Sequence, residues 1–405
     1  MNVVFLSPAY PPEMQQYTRG LAEVGARVYG VGDGHPGAFP ASLKSHLTDY
    51  LQVPRIMDQA DVIARVRAWL RGRSVDRVLA NWEILVETAA ALREALGMPG
   101  MSSDTVRGFR DKQLMKERVR AAGLRVPRSR RAFTASEARA AAEEIGYPMV
   151  LKPIAGAGSA DTFRVNDAAE LEDALARTRH VPEVSCEEFI EGEEFTYDTI
   201  CVDGAPVYEN VAQYLPKPLI ARTNEWISPV ITTVRDLQQP PIAAGIALGR
   251  KVLRALGMGD GFTHMEWFRK PDGEVVFGEI GCRPGGAHLV DQMNYTSDID
   301  LFREWARVAC HRRFEADAAR KYNAAIIFKR AKGQGRITAV QGLHGFMRRF
   351  GAHVVEQHLL PIGAHRRDWK QTLLSDGHIL LRHPDWTTAN EMAAIAARDI
   401  TMYAE

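Results

Sequence analysis

Cysteines and long apolar runs are scarce in this sequence. The four cysteines lie too far apart for a C-x-x-C pair, which argues against a disulfide framework or a zinc site and fits a reducing cytosol. No apolar stretch approaches the roughly 20 residues needed to span a bilayer. The run Val3–Leu6 lacks the length and the basic flank of a secretory signal. We therefore expect a cytoplasmic protein without a membrane partner. The cysteines are Cys186, Cys201, Cys282 and Cys310.

An excess of charge is also missing, since 51 Lys and Arg residues balance 50 Asp and Glu residues. This balance argues against nucleic acid as a partner bound through a basic field, although a local basic cleft for a phosphorylated ligand remains compatible with it. At roughly 100–200 residues per domain, the 405 residues correspond to two to four domains or lobes.

Strand and helix patterns alternate over the first hundred residues, which predicts a small, mostly parallel sheet covered by helices. A cluster of turn formers at 98–103 marks a boundary. A helix is predicted over Asp104–Ala122, followed by a compact α/β unit in which Thr134 and Glu137 form a capping box. From Ser185 onward, β-hairpin patterns dominate.

The most informative segment is an acidic hairpin, Gly261–Ile280. A two-residue Asp-Gly loop would pair 271 with 274, and a four-residue loop would pair 270 with 275. Both choices place Glu266 directly opposite Glu279, with Cβ atoms about 4.5–5.5 Å apart. Two such carboxylates repel each other unless a divalent cation such as Mg²⁺ lies between them. The alternatives are an acid/base pair with one raised pKa, or two solvated glutamates.

Basic and glycine-rich segments suggest phosphate binding. Lys152 ends the apolar strand Met149–Lys152 and precedes Ile154-Ala-Gly-Ala-Gly-Ser-Ala160, a loop whose backbone N–H groups are suited to phosphates. The loop is neither a P-loop nor a Rossmann fingerprint, and an ordinary hairpin turn is equally compatible. Lys112 is predicted near the middle of a helix, with Lys116 one turn further on, so the helix alone does not decide which lysine matters.

Two further segments have both a functional and an ordinary interpretation. Arg283, in Gly281-Cys-Arg-Pro-Gly-Gly286, could hold a phosphate or carboxylate, or could pair internally with one of the hairpin glutamates. The extended Glu188–Ile190 could hydrogen-bond an adenine edge through its backbone, and Glu194 could accept bonds from ribose, or the run could be a solvated acidic loop.

Taken in order, these segments resemble the ATP-grasp superfamily, in particular its carboxylate–amine ligase branch and the L-amino-acid ligases. The resemblance extends over roughly 104–292. It implies an α/β (α+β) ATP-grasp fold with an N-terminal Rossmann-like domain (1–101), a small lid subdomain (102–186), a core carrying the metal site (187–325) and an appended C-terminal lobe (326–405). The matching segments are Asp111-Lys112, Leu151-Lys152-Pro153, Glu187–Glu194, His264-Met-Glu266 and Glu279–Arg283.

The resemblance also implies ATP and Mg²⁺, or Mn²⁺, as cofactors. Lys112 and Lys152 would contact nucleotide phosphates, and Lys152 and Arg283 would be the catalytic pair, with Arg283 on the acyl phosphate. Glu266 and Glu279 would hold the metal. The remaining nucleotide contacts would come from the lid loop, through Gly156, Gly158 and Ser159, and from the hinge segment, through Glu187, Glu188, Phe189, Ile190 and Glu194.

Two positions depart from the family pattern. Gly281 stands where the family often carries a metal-binding Asn, so one metal is expected to be held more loosely. The lid loop has Ala160 and Asp161 after its serine, where a second glycine is commoner.

The resemblance implies a two-step reaction, in which a carboxylate attacks ATP to give an acyl phosphate and an amine then displaces phosphate. We expect amino acids or small acids as the carboxylate and amine substrates, with a homodimer as the default assembly. The alternatives are a biotin-dependent carboxylase, a non-catalytic ATP-binding protein and a dinucleotide-dependent oxidoreductase. Ser7–Pro12 argues against the last of these, because it lacks a glycine-rich turn. Arg222, Glu225, Trp226 and His288 flank the expected acyl site.

Overall fold

The computed structural model describes residues 1–154, 161–370, 372 and 374–405, with the backbone alone at residue 222. The N-terminal lobe contains a parallel sheet in the order β3-β2-β1-β4. Val3–Leu6 is completely buried in it. The elements are β1 (Asn2–Leu6), α1 (Met14–Glu23), β2 (Arg27–Gly32), α2 (Ala41–His46), β3 (Asp49–Gln52), α3 (Gln59–Trp69), β4 (Arg77–Leu79) and α4 (Val86–Leu96).

A second lobe carries the antiparallel sheet β5-β8-β6-β7 with two covering helices. The predicted capping box of Thr134 and Glu137 opens the first of these, and Asp167 caps the second. The elements are α5 (Ser103–Arg107), α6 (Lys112–Ala121), β5 (Ser129–Ala132), α7 (Ala135–Ile145), β6 (Met149–Pro153), β7 (Phe163–Val165), α8 (Ala168–Arg177) and β8 (Val184–Glu188).

The single helix predicted over Asp104–Ala122 is wrong, because the chain forms two helices here. The first ends at Arg107, and the Asp111 carboxylate accepts hydrogen bonds from the N–H groups of Gln113 and Leu114 to cap the second. Lys112 is therefore the first residue of α6 and not a mid-helix residue.

The centre of the molecule is an eight-stranded antiparallel sheet, in the order β13-β12-β9-β10-β11-β14-β18-β17. The chain from 193 to 328 supplies the first six strands of this sheet and the helices between them. The elements are β9 (Glu193–Val202), β10 (Ala205–Leu215), α9 (Pro218–Thr223), β11 (Val230–Thr233), α10 (Pro240–Leu256), β12 (Gly261–Arg269), β13 (Val275–Gly281), α11 (Leu289–Ser297), α12 (Leu301–His311) and β14 (Asn323–Phe328).

The same sheet continues into the C-terminal residues, which add a small sheet in the order β15-β19-β16. The divisions expected at 186 and 325 thus fall inside β8 and β14. The elements are β15 (Lys332–Gly333), β16 (Ile337–Gln341), α13 (Leu343–Phe350), β17 (Val354–Leu359), β18 (Gly377–His383), α14 (Trp386–Asp399) and β19 (Thr401–Ala404).

The N-terminal lobe packs firmly against the centre through α1 and α12. Tyr17, Phe302 and Trp305 form edge-to-face ring contacts in a shared core. Gly20 permits this close approach, because a Cβ there would lie 2.5 Å from the Phe302 carbonyl oxygen. This packing fixes one wall of the cavity described below. Within the described residues, no helix has both the length and the apolar character needed to cross a bilayer.

Candidate active site

The paired carboxylates predicted from the acidic hairpin are present. Glu266 of β12 lies opposite Glu279 of β13. Nearer the turn the predicted pairing is wrong by one residue, since Lys270 pairs with Glu274. A bulge at Gly278 restores the register, and a Cβ at that position would lie 2.8 Å from the Glu266 carbonyl oxygen. The hairpin therefore reaches the predicted pairing by a different route.

Two lysines from the second lobe approach Glu279. Lys152, the next-to-last residue of β6, places Nζ 3.3 Å from Glu279 Oε2. Lys112, at the start of α6, places Nζ 3.6 Å from the same oxygen. Burial would raise the pKa of Glu279, but Lys112 and Lys152 outweigh it and hold that pKa well below its usual value. Glu279 therefore stays ionised in this setting.

Glu187, expected among the hinge contacts to the nucleotide, has its carboxylate bound by lysines. Its Oε1 accepts hydrogen bonds from Lys116 at 2.8 Å and from the Ser185 hydroxyl at 2.7 Å, and its Oε2 lies 3.1 Å from Lys152. Burial opposes ionisation, but Lys116 and Lys152 lower the pKa of Glu187 to about 2. Glu187 thus aligns Lys152 toward Glu279.

Lys116 is the buried partner that sequence reasoning left undecided against Lys112. Its side chain is fully buried. Burial and the neighbouring Lys152 outweigh the attraction of Glu187 and lower the pKa of Lys116 to about 8. Lys112, by contrast, lines both cavities described below. Lys116 is therefore an internal residue, whereas Lys112 borders the cavities.

Two carboxylates at the site have raised pKa values. Burial is the main cause for Glu194 and Glu266, and their repulsion by each other or by Glu279 adds to it. The Tyr214 hydroxyl donates to Glu266 at 3.2 Å. Lys152 and Lys217 oppose the rise at Glu194 but do not cancel it. The remaining repulsion among Glu194, Glu266 and Glu279 is suited to relief by a cation.

An Asp–His pair lies beside Glu266 on the same face of the sheet. Nδ1 of His264 lies 2.5 Å from Oδ1 of the buried Asp198, and its Nε2 lies 4.0 Å from Glu266. Because a carboxylate only accepts, Nδ1 carries the proton and Nε2 faces Glu266. Asp198 is itself held by Thr196 and Asn210. The sequence motif includes His264, which lies opposite Gly281, but sequence reasoning missed Asp198.

Arg283 pairs with neither hairpin glutamate. Its Nε donates to Glu83, which follows Trp82 in the N-terminal lobe and also accepts from Arg110. Another nitrogen of Arg283 donates to the Pro284 carbonyl at 2.7 Å. The pairing with a hairpin glutamate considered from sequence is therefore wrong, and the partner is a glutamate of another lobe. Glu83 and Arg110 were missed because nothing local in the sequence marks them.

One part of the hinge segment is bound to neighbouring arginines, and another part lines a cavity. Strand β8 ends at Glu188, whose carboxylate accepts from Arg125 at 2.8 Å and from the Arg128 N–H. Phe189 and Ile190 line a cavity together with Glu194. The lid residues Gly156, Gly158 and Ser159 lie outside the described residues. Of the residues expected to flank the acyl site, Trp226 is exposed, and His288 lines a second cavity.

Two cavities meet at the paired carboxylates. One, of 910 Å³, lies between the second lobe and the central sheet and is lined by Lys152, Ile190 and Glu194. The other, of 770 Å³, opens toward the N-terminal lobe and is lined by Trp82 and Arg283. Their linings share Lys112, Pro218, Glu266, Glu279 and Lys370. A ligand in each cavity would therefore meet at Glu266 and Glu279.

Comparisons with known proteins agree with this architecture. The ATP-grasp domain family matches residues 145–291. The L-arginine-specific L-amino acid ligase of Bacillus subtilis is 25% identical over 280 residues, which cover 67% of each chain. The alanine–anticapsin ligase of Bacillus subtilis strain 168 is 26% identical over 259 residues, which cover 58% of this chain and 54% of that enzyme.

Structural similarity extends over the full chain. The L-amino acid ligase from Bacillus licheniformis superposes with a TM-score of 0.80 at 20% identity, covering 100% of this chain and 98% of that one. The fold, the paired carboxylates and the lysines around them define an ATP-grasp protein. Residues 145–291 form an ATP-grasp domain, and the relatives named above are ligases.

Proposed function

We propose that this enzyme uses ATP and Mg²⁺ to join a carboxylic acid to an amine through an acyl phosphate, releasing ADP and phosphate. The observation that carries the proposal is the position of Glu266 and Glu279. They stand opposite each other where the two cavities meet. A nucleotide in one cavity and an acid in the other would bring the γ-phosphate and the carboxylate together there.

The donor set suits a hard divalent cation. Mg²⁺, or Mn²⁺ in its place, prefers carboxylate and phosphate oxygens, and Glu266 and Glu279 supply the former. Burial and the charge of Glu279 raise the pKa of Glu266, and a bound cation would favour its ionised form. The metal would neutralise phosphate charge during transfer. Gly281, in place of the usual Asn, offers no side-chain ligand of its own.

The 910 Å³ cavity suits ATP. Lys112 and Lys152 would contact phosphates, with Lys152 aligned by Glu187 at 3.1 Å. The backbone from Glu188 to Ile190, which includes Phe189, would hydrogen-bond the adenine edge. Glu194 would accept hydrogen bonds from ribose. The lid role expected for residues 155–160 falls outside the residues that the structure describes.

The chemistry then proceeds in two balanced steps. A carboxylate oxygen attacks the γ-phosphorus, the bond to the β–γ bridging oxygen breaks, and ADP leaves. The amine nitrogen next attacks the acyl carbon, the bond to the phosphate oxygen breaks, and the nitrogen loses a proton. Arg283, fixed by Glu83, would steady the acyl phosphate, so positioning and charge supply most of the catalysis.

The substrates we propose are amino acids or small acids, with a dipeptide or amino-acid amide as product. The relatives named above act, by their names, on L-arginine and on alanine with anticapsin. The wall of the 770 Å³ cavity carries both charged and aromatic side chains, among them Glu13, Tyr17, Trp82 and Asp291. Such a lining is suited to a polar substrate with an ammonium group.

A panel assay tests the proposal. ADP release is measured with ATP and Mg²⁺ across carboxylates, each with and without amines. Turnover that requires both substrates and is lost in Glu279→Gln supports the ligase. Glu274→Gln, on the same hairpin but exposed, serves as the matched control and should retain activity. Turnover that needs bicarbonate and biotin, or tight ATP binding without turnover in any mixture, would contradict it.

A further inference from the structure

A cluster of two histidines and a glutamate lies at the edge of the eight-stranded sheet, away from Glu266 and Glu279. Glu356 and His358 alternate along the edge strand β17 and so share one face. His378 of β18 is the direct cross-strand partner of His358. The three side chains therefore converge on one point of the sheet surface.

The spacing of the ligand atoms is close to what a tetrahedral metal site requires. Nε2 of His378 lies 3.4 Å, and Nε2 of His358 lies 3.8 Å, from Oε2 of Glu356. One ligand atom from each residue lies within 4.8 Å of the others. Bonds of about 2.0–2.1 Å around tetrahedral zinc put neighbouring ligand atoms roughly 3.3–3.5 Å apart. Small side-chain rotations would complete the site.

Neighbouring side chains hold this cluster in place. The Tyr295 hydroxyl donates to the other oxygen of Glu356 at 2.9 Å, so Oε2 remains directed at the histidines. The ring of His288 packs on His378 with 4.5 Å between centroids. His378 is buried, whereas His358 is 66% exposed, which leaves one side of the cluster open to solution. Metal sites depend on supporting contacts of this kind.

We propose that Glu356, His358 and His378 bind a transition-metal dication, with Zn²⁺ the best fit. Two imidazoles and one carboxylate disfavour Mg²⁺ and Ca²⁺, which prefer all-oxygen sites, and are a common zinc donor set with one position left for water. The site is separate from the proposed Mg²⁺ site. A bound ion would tie β17 to β18 and, through Tyr295, to α11, whose first residues border the 770 Å³ cavity.

Cobalt spectroscopy and calorimetry test this site directly. Untagged, chelator-treated protein is saturated with MgADP to occupy the carboxylate pair and is then titrated with Co²⁺ or Zn²⁺. We expect one equivalent to bind and Co²⁺ to give the visible bands of a four-coordinate ion. His358→Ala and Glu356→Gln should weaken binding by about tenfold or more, since even supporting groups of metal sites contribute that much.

The exposed His358 makes its variant safe for folding, so loss of binding there does not reflect loss of structure. His344→Ala, an exposed histidine on the nearby α13, is the matched control and should bind as the parent does. Absence of binding, or binding that both His358→Ala and Glu356→Gln retain, would overturn the proposal. None of these outcomes depends on ligase activity.

Discussion

The carboxylate of Glu83 accepts a hydrogen bond from Nε of Arg283, which joins the N-terminal lobe to the loop that leaves the acidic hairpin. Arg110 donates to the same carboxylate. One glutamate thus holds two guanidinium groups at the wall of the cavity proposed for the acid. The orientation of Arg283 therefore depends on a residue 200 positions away in sequence.

Glu83→Gln should destabilise the enzyme, because it leaves two partly buried guanidinium groups without their counter-charge. Removal of one partner from a buried ion pair costs about 3–5 kcal/mol. The free energy of unfolding in urea measures the change. Glu87→Gln, at a half-exposed position 3.9 Å from Arg110, is the control and should change it by less than about 1 kcal/mol. Equal effects of the two variants would show that the Glu83 pairs are unimportant.

The stability difference between the parent and Glu83→Gln should depend on pH. Burial opposes ionisation of Glu83, but Arg283 and Arg110 outweigh it and lower its folded-state pKa below the ordinary 4.5. A lowered pKa stabilises the folded state above the unfolded-state value, and this contribution disappears as pH falls through the folded-state pKa. The difference should be constant from pH 7 to about 5 and shrink below 4.5. A difference that grows toward acid pH would contradict this assignment.

Lys112→Met and Lys116→Met should have opposite signatures. Lys112 lines both cavities, so its loss should raise KM for ATP and lower kcat, with a smaller fall in Tm than Lys116→Met causes. Lys116 is fully buried and donates a hydrogen bond to Glu187, so the main effect of its loss should be a lower Tm. Initial rates over a range of ATP concentrations, together with thermal unfolding, separate the two effects. The reverse pattern would make Lys116 the nucleotide contact.

Asp198→Asn should weaken the response to Mg²⁺. An amide at this position no longer fixes the proton on Nδ1 of His264, so Nε2 would lose its defined role beside Glu266. Supporting groups of metal sites typically contribute 10–100-fold in affinity or activity. The Mg²⁺ concentration for half-maximal rate is the readout. Asp203→Asn, at an exposed turn, should leave it unchanged, and an unchanged value in Asp198→Asn would remove the supporting role.

Local sequence patterns predicted the parts of the site that local geometry determines. The Asp-Gly turn indicated a hairpin, but Glu266 lies opposite Glu279 only because the bulge at Gly278 offsets a one-residue error in the register predicted at the turn. The bulge at Gly278 was not predictable, because it reflects a contact with the Glu266 backbone. Lys112 was assigned to the middle of a helix because the capping potential of Asp111 was overlooked.

Contacts between distant segments were beyond local reasoning. Glu83 with Arg283, Lys116 with Glu187, and Asp198 with His264 each join different elements of the fold. Resemblance to a family supplied the roles of matching residues, but it is silent on partners outside the matched motifs. The cluster at Glu356 escaped notice because His378 lies on another strand, and only the strand register brings it to His358.

Transfer of oxygen from the acid to phosphate tests the central claim most directly. A substrate acid found in the panel assay is labelled with ¹⁸O in its carboxylate and converted with ATP and an amine, and the released phosphate is analysed by mass spectrometry. The acyl-phosphate route predicts one ¹⁸O atom in each phosphate, because the attacking oxygen leaves with it. Unlabelled phosphate, or label recovered in AMP, would contradict the account.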